Sequence, residues 1–311
     1  MKSDLRTTIE ARSRHGAAGV GAMLLATVFW SFGGIFGKKS GASGVVLTFW
    51  RMWLGTALFL VIAIILHRLP SRGDIRRAAL TGVVFGLNVA AFFTSLQTIS
   101  IATALIIAAL APVVALPISV AVFNERLTTL KIVCALVAVV GVIVAVLASP
   151  DTGGSGEGSS IGYVWAVVSM VLWLAYLLLS KGVRAHVAMV QFLLVVSAAG
   201  ALAVTAIVVA TGESVGQVHG SGWWWALALA LGPGVFGHGL VAWAQPRVEA
   251  SVTAVLIQAE PVFASINAWV FLHERLTRIQ GFAGLGVIAA LSILAWREAH
   301  DGTIEMVDVP I

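Results

Sequence analysis

Charged residues are scarce in this chain of 311 residues: 11% of them are charged and 59% are hydrophobic, and the mean hydropathy is +0.99. Soluble domains carry about 25% charged residues, and a folded chain of this size needs far more polar surface than this to face water. The composition therefore argues against a soluble enzyme, an extended nucleic-acid-binding protein and a disordered chain. It predicts an integral membrane protein whose solvent is the lipid bilayer.

Cysteine and the common catalytic motifs are also missing. The one cysteine, Cys134, excludes an intrachain disulfide and a cysteine-based zinc site. The G-x-G-x-x-G pattern at residues 232–237 lies inside an apolar run without a preceding strand, so it is not a dinucleotide fingerprint. The G-x-S-x-G-like segment 212–216 lacks the strand–turn–helix context of a nucleophile elbow. We therefore expect no cofactor, no metal site and no catalytic residue, and a membrane-embedded enzyme remains a remote alternative.

The basic residues point to membrane topology rather than to a nucleic-acid partner. The formal net charge is +5, but the 19 Lys and Arg residues are dispersed between apolar runs, whereas nucleic-acid binding needs them clustered on one water-facing surface. The first apolar run ends at Lys38 and Lys39 without a small-residue cleavage site. This favours a retained first span over a cleaved signal peptide.

Ten apolar segments are long enough to cross a bilayer core of about 30 Å, which takes roughly 20 residues of α-helix. They lie at about 17–37, 45–66, 78–97, 101–123, 129–148, 161–180, 187–210, 223–244, 250–272 and 279–297. Runs such as 132–147 are apolar on every side, which is typical of helices and not of the alternating strands of a β-barrel. With the N-terminus inside, most Lys and Arg residues fall on the cytoplasmic side. We expect an all-α protein of the bacterial inner (plasma) membrane with both termini in the cytoplasm.

An internal repeat divides the chain into two five-span halves. Matching segments occur in the same order in both halves: Trp30 and Lys38 with Trp173 and Lys181, Val84-Phe85-Gly86 with Val235-Phe236-Gly237, Pro112-Val113 with Pro261-Val262, and Glu125-Arg126-Leu127-Thr128 with Glu274-Arg275-Leu276-Thr277. The predicted parts are a tail at 1–16, a first repeat at 17–148, a linker at 149–160, a second repeat at 161–297 and a tail at 298–311. Because five is odd, the second repeat must enter the membrane upside down, an architecture of many secondary transporters.

On these motifs the chain resembles the EamA family of the drug/metabolite transporter superfamily, over about residues 17–297. The resemblance rests on Ala111-Pro112-Val113 and Glu260-Pro261-Val262, each followed by its Glu-Arg-Leu-Thr segment. Arg51 also matches an arginine that such proteins often carry early in the second span. The resemblance implies a ten-helix carrier built from inverted repeats, commonly an exporter of amino acids or other small metabolites. It does not imply one particular substrate.

Three ionisable residues lie well inside the predicted spans, where such groups are costly and usually mark a transport pathway. Glu260 is a candidate to bind a substrate amine or a coupling proton, with a structural ion pair as the alternative. Arg51 is suited to a substrate carboxylate because of its forked donors, and the alternative is an arginine that ties helices or reaches the interface. His238 is a candidate proton relay with Glu260 or an interhelical hydrogen bonder.

Other residues are predicted to line the pathway or to act as hinges. Asn88 is a candidate hydrogen bonder, and Trp30 and Trp243 are candidates for a cavity wall that stacks on an apolar, aromatic or cationic substrate. Gly82 and Gly86 have the spacing that lets two helices approach closely. The predicted structural hinges are Pro112, Pro233, Pro261, Glu125 and Glu274, and Thr128 and Thr277 are predicted to cap the helices that follow them.

Together these features predict a secondary transporter that exports amino acids or related small metabolites by alternating access, with protons as the candidate coupling ion. The alternative is an exporter of amphipathic or aromatic cationic drugs. The expected partners are a small-molecule substrate, protons and the lipid bilayer, and not a nucleic acid. The protein is expected to be a monomer or a homodimer.

Overall fold

The computed structural model describes residues 2–99, 101–148, 160–272 and 277–301, and in this part of the chain the secondary structure is helical, without a β-strand. We number the α-helices α1 to α14 in chain order. Their bounds are Lys2–Ser31, Gly33–Ser40, Gly44–Ile65, Arg72–Ser95, Ile101–Ala109, Ala111–Phe123, Thr129–Leu147, Ser160–Arg184, Met189–Thr211, Gly222–Leu229, His238–Ala244, Ala250–Leu256, Ala259–Leu272 and Arg278–Asp301. Predicted features at 149–159, at Glu274 and at 302–311 lie outside the described residues.

Eight helical segments of the described chain are long and apolar enough to cross a membrane, by length and composition. They are Ala17–Gly37, Gly44–Ile65, Arg72–Ser95, Ser160–Arg184, Met189–Thr211, Gly222–Arg247, Ala250–Phe271 and Arg278–Arg297. The other two predicted spans appear as the shorter apolar helices Ile107–Phe123 and Thr129–Ala145. The structure therefore agrees with an all-helical membrane protein, while the count of ten spans stays a prediction.

The distribution of polar side chains is the reverse of that in a water-soluble protein. Large apolar side chains such as Val209 (76% exposed) and Phe282 (75%) face outward, whereas polar side chains such as Thr48 and Ser180 (both 0%) are buried. Contiguous apolar surface of this kind marks contact with a membrane or a partner. Some polar side chains are therefore buried among the apolar residues of the interior.

Two of the predicted spans are broken in the middle. The break between α5 and α6 falls at Leu110, and the break between α12 and α13 falls at residues 257–258; Pro112 and Pro261 follow the two breaks directly. Proline lacks the N–H that a continuous helix would need, so it favours a break at this point. The side chain of Gln258 donates a hydrogen bond to the carbonyl of Ala109 (Nε2–O 3.0 Å). The two breaks therefore lie side by side.

A third irregularity precedes His238. Residues Ala230–Gly237, which include Pro233, form a π-helical turn between α10 and α11. The indole N–H of Trp30 donates to the carbonyl of Pro233 (3.1 Å), and a Cβ atom at Gly237 would lie 2.5 Å from that indole nitrogen. The turn thus brings its backbone against α1, and π-helical turns of this kind are frequent at functional sites.

Helix α4 packs on both α8 and α9, and α3 packs on α9 and on the π-helical turn. The contact between α4 and α9 is made by glycines: a Cβ atom at Gly86 would lie 2.7 Å from the Cα atom of Gly200. Only glycine allows backbones to approach this closely, as the spacing of Gly82 and Gly86 predicts. Helices from the two predicted halves are thereby brought into direct contact.

Candidate functional site

Arg51 and His238, from opposite halves of the chain, meet in the interior. Arg51 lies on α3 and is 8% exposed, and His238 begins α11 and is 6% exposed. Their side chains are joined by a hydrogen bond of 3.1 Å between Nη2 of Arg51 and Nε2 of His238. A guanidinium nitrogen can only donate, so the imidazole accepts at Nε2 and the proton of the neutral ring is on Nδ1.

Four aromatic rings surround the imidazole of His238, and we call them the aromatic cluster. The ring centroids of Phe85 and Trp30 lie 4.5 and 4.9 Å from that of His238, and those of Trp173 and Tyr176 both lie 6.1 Å away. Trp30 and Trp173 also contact each other edge to face, at 5.2 Å. The cluster draws on α1, α4 and α8, so three helices fix the position of the imidazole.

A small cavity of about 20 Å³ lies beside this hydrogen bond. It is lined by Arg51, Met52, Gly55, Phe59, Phe85, Tyr176, Leu193, Val196, Ser197, Gly234 and His238. The volume is enough for one water molecule and too small for an amino acid. Nε of Arg51 and Nδ1 of His238 are both buried without a hydrogen-bond partner among the described residues.

Glu260 supplies the negative charge of this region. It is partly buried in the first turn of α13, directly after the helix break. Arg51 and Glu260 lie close enough for their charges to interact. No ion pair joins the two side chains, and the cavity beside His238 is not lined by Glu260. The site therefore holds one positive and one negative group that are not bonded to each other.

Asn88 and Trp243 lie outside this cluster. The amide nitrogen of Asn88 donates to the carbonyl (2.8 Å) and to the hydroxyl oxygen (3.1 Å) of Ser169, which ties α4 to α8. The ring of Trp243 packs against the guanidinium of Arg247, whose Cζ atom lies 4.0 Å from the ring centroid. The structure gives Asn88 a bond between helices and does not bring Trp243 to the rings around His238.

Glu125 joins three helices at one end of the molecule. Its carboxylate accepts hydrogen bonds from the backbone N–H groups of Ala250 (2.7 Å) and Ser251 (3.0 Å), at the start of α12, and pairs with Lys181 on α8 (Nζ–Oε1 2.5 Å). Burial raises the pKa of the Glu125 carboxyl, but the charge of Lys181 and the hydrogen bonds from Lys181 and Ser251 outweigh it, so the pKa lies below its ordinary value. Glu125 thus holds the second broken helix at its N-terminus.

The threonines that end the two Glu-Arg-Leu-Thr segments cap helices as the sequence predicts. The hydroxyl of Thr128 accepts from the backbone N–H of Lys131 (3.3 Å), and that of Thr277 accepts from the N–H of Gln280 (3.2 Å). Lys131 additionally forms an ion pair with Glu249, the residue before α12. Thr128 and Thr277 therefore each fix the start of the helix that follows them.

Sequence reasoning did not single out Phe85 or Tyr176 as members of the aromatic cluster. Tyr176 follows Trp173 by three residues, a spacing that places both on one face of a helix, and Phe85 belongs to a segment that recurs in the second half. These signals were available. The ion pair between Lys181 and Glu125 had no local signal, because the two residues are 56 positions apart.

Comparison with known proteins finds similar proteins over nearly the whole chain. The sequence matches the EamA-like transporter family over residues 17–147 and 160–296. An uncharacterised transporter of Archaeoglobus fulgidus is 24% identical over 286 residues, which cover 92% of this chain and 97% of that protein. A protein of known crystal structure, 21% identical, superposes with a TM-score of 0.73 over 90% of this chain and 98% of its own, and so shares the fold. The chain belongs to the EamA-like transporter family and is a multi-pass membrane protein.

Proposed function

We propose that this protein is a secondary transporter that exports amino acids or related small metabolites by alternating access. The observation that carries the proposal is the meeting of Arg51 and His238 beside a small cavity whose walls come from both halves of the chain. Buried ionisable groups between the halves of a membrane carrier are typical of a substrate site. Membership of the EamA-like family favours transport over a membrane-embedded enzyme.

Contacts between matching positions of the two halves support an inverted repeat. Trp30 packs on Trp173, its counterpart in the second half. Gln258 donates to the carbonyl of Ala109, and Ala109 is the residue that matches Gln258 at the other helix break. Equivalent residues meet in this way when a two-fold axis passes between them. Broken helices beside such an axis are what many carriers use to hold a solute and to change conformation.

Arg51 and Glu260 suit the two charged groups of an amino acid. The guanidinium can hold a carboxylate, and the carboxylate of Glu260 can hold an ammonium group. Since each lacks an ion-pair partner among the described residues, a bound zwitterion would provide a counter-charge for both. The aromatic cluster would then wall off the apolar part of the substrate.

The second candidate function is export of aromatic or amphipathic cations. The aromatic cluster and the carboxylate of Glu260 favour it, because ring faces and a carboxylate attract a cation. It leaves the positive charge of Arg51 without a role. We further propose that the protein lies in the bacterial inner membrane with both termini in the cytoplasm, works as a monomer or a homodimer, and uses protons as its coupling ion.

A counterflow screen in proteoliposomes tests the proposal. Proteoliposomes that contain the purified protein are loaded in turn with amino acids, amines, nucleobases and aromatic cations. Flux is measured with and without a pH gradient. Glu260→Gln is expected to abolish flux while the protein still folds. The control is Asp74→Asn, because the partly exposed Asp74 lies in the first turn of α4, where it takes part in the capping of this helix, and its variant should retain flux. Unchanged pH-dependent flux in Glu260→Gln would remove Glu260 from the mechanism.

A further inference from the structure

We propose that Arg51 holds a carboxylate group of the substrate in place of His238, and that His238 binds a proton in the same step. A carboxylate-bearing substrate and one proton would then occupy the site together. This inference rests on the proposed function, since it concerns the same site.

Two buried polar atoms of Arg51 and His238 are donors that need acceptors. Nε of Arg51 carries an N–H group, and Nδ1 of His238 carries the proton of the neutral ring because Nε2 accepts from Arg51. Both atoms are buried without a partner among the described residues, a situation that proteins normally avoid. A carboxylate offers acceptor oxygens in the geometry that matches the guanidinium fork. A dianionic phosphate fits less well, because Arg51 is one cation and Glu260 lies within its electrostatic range.

The bond between Arg51 and His238 and the protonation of His238 exclude each other. Nε2 can accept from Arg51 only while it carries no proton. A carboxylate that takes over the guanidinium releases Nε2, and its negative charge offsets the positive charge that would otherwise repel an imidazolium. A proton from water can then bind at Nε2. Each binding event therefore favours the other, as a reciprocal coupling requires.

The charge balance of the combined step suits a site inside a membrane. One carboxylate adds one negative charge and one proton adds one positive charge, so a substrate that carries no other charge leaves the net charge of the site unchanged when both bind. An unbalanced charge at membrane depth is costly. Binding the pair avoids that cost during the conformational change.

One other described ionisable group, the carboxylate of Glu260, competes with His238 for the proton. The described groups that face the imidazole are Arg51 from α3, Trp30 from α1, Phe85 from α4, and Trp173 and Tyr176 from α8. Arg51 is the charged member of this set and Tyr176 is a phenol that is neutral near pH 7. Glu260 reaches the site through its electrostatic interaction with Arg51. The test must therefore separate protonation of His238 from protonation of Glu260.

The substrate group is tested with compounds that share a side chain and differ in their charged groups. One set is L-phenylalanine, L-phenylalaninamide and 3-phenylpropionate; the other is L-leucine, L-leucinamide and 4-methylpentanoate. Binding to the purified full-length protein in lipid nanodiscs is measured by calorimetry at stepped pH. We expect the compounds with a carboxylate to bind and the amides to lose at least about tenfold in affinity. Amides that bind as tightly as the matching amino acids would overturn the inference.

The proton is tested by its linkage to that affinity. If one proton binds with each carboxylate, affinity rises by about tenfold for each pH unit of acidification, over the range in which His238 is neutral in the free protein and charged in the complex. His238→Gln retains an acceptor for Arg51 but cannot take a proton, so it should bind the acids without this slope. Glu260→Gln should keep the slope. A slope that survives in His238→Gln and disappears in Glu260→Gln would refute the role of His238.

A matched control and a direct measurement complete the test. Arg184 is also buried, but its Nε and Nη1 atoms already donate to the carbonyls of Ala242 and Val187. Arg184→Lys should therefore keep the preference for carboxylates over amides, whereas Arg51→Lys should lose it. Proton uptake by the wild-type protein on addition of acid, read in weak buffer, needs no variant to fold; zero uptake would overturn the coupling. Counterflow of amines or nucleobases without counterflow of any carboxylic acid would refute this inference and leave the proposed transport function in place. The absence of flux for every class of compound would refute both the inference and the proposed function.

Discussion

Replacement of Glu125 by glutamine should destabilise the protein by about 2–4 kcal/mol. The carboxylate accepts from the backbone N–H groups of Ala250 and Ser251 and pairs with Lys181. Glutamine has one acceptor oxygen, so one of the two N–H groups loses its acceptor, and hydrogen bonds to charged groups contribute about 1.5–3 kcal/mol each. The loss of the largely buried ion pair with Lys181 adds to this, because breaking a buried pair typically costs about 3–5 kcal/mol and a partly exposed one costs less.

The assay is equilibrium unfolding in detergent micelles, with a double-mutant cycle that combines Glu125→Gln and Lys181→Met. The matched control is Glu249→Gln, since Glu249 pairs with Lys131 at the same end of α12 but retains 18% side-chain exposure; a loss of about 1 kcal/mol or less is expected there. A free energy of unfolding that is equal for wild type and Glu125→Gln at pH 7 would refute the reasoning.

The same variant carries a pH dependence of known sign. The folded-state pKa of Glu125 lies below its ordinary value of 4.5, so its charged form stabilises the fold at pH values above that value, and the stabilisation is lost as the pH falls through the folded-state pKa. The difference in free energy of unfolding between wild type and Glu125→Gln should therefore shrink on acidification below about pH 4.5. A difference that stays constant over this range would contradict the assignment.

Two further predictions concern packing between helices. Gly86→Ala places a Cβ atom 2.7 Å from the Cα atom of Gly200 and should cost about 1–3 kcal/mol in unfolding free energy, whereas Gly182→Ala, with no atom within 4 Å, should be neutral or stabilising by up to about 1 kcal/mol. Asn88→Leu removes the hydrogen bonds to Ser169 and should cost about 1–2 kcal/mol without changing the preference for carboxylates over amides. Unfolding curves and the calorimetric series check the two variants, and a changed acid preference in Asn88→Leu would place Asn88 in the substrate site.

The helical membrane class could be predicted because it depends on local composition. Runs of about 20 apolar residues need no tertiary information, and Pro112 and Pro261 indicated where two spans would be interrupted. The fourth predicted span, 101–123, is one continuous segment, whereas the structure divides it into α5 and α6. Apolar composition is the same in one continuous helix and in two short ones, so it cannot distinguish them. Hydropathy does not mark Leu110 as the place where α5 ends and α6 begins.

The contact at the centre of the site could be predicted only in part. Arg51 and His238 were identified because ionisable residues at membrane depth are rare, but they lie 187 positions apart, and the sequence holds no signal for a contact at that separation. Trp243 shows the same limit of what the sequence predicts about contacts. The sequence indicates that Trp243 lies in a span but not which face of the helix it occupies, and the structure places its ring against Arg247.

The π-helical turn at Ala230–Gly237 also determines how this segment responds to a change in length. An α-helix advances by about 100° for each residue. A deletion within such a helix therefore rotates every later side chain by about that angle. A π-helical turn holds one residue more than the α-helical turn that would replace it. Deletion of one residue from Ala230–Gly237 should therefore let the turn close as an α-helix with His238 still directed toward Arg51, so the contact should tolerate a change in length at this place and not elsewhere in the helix.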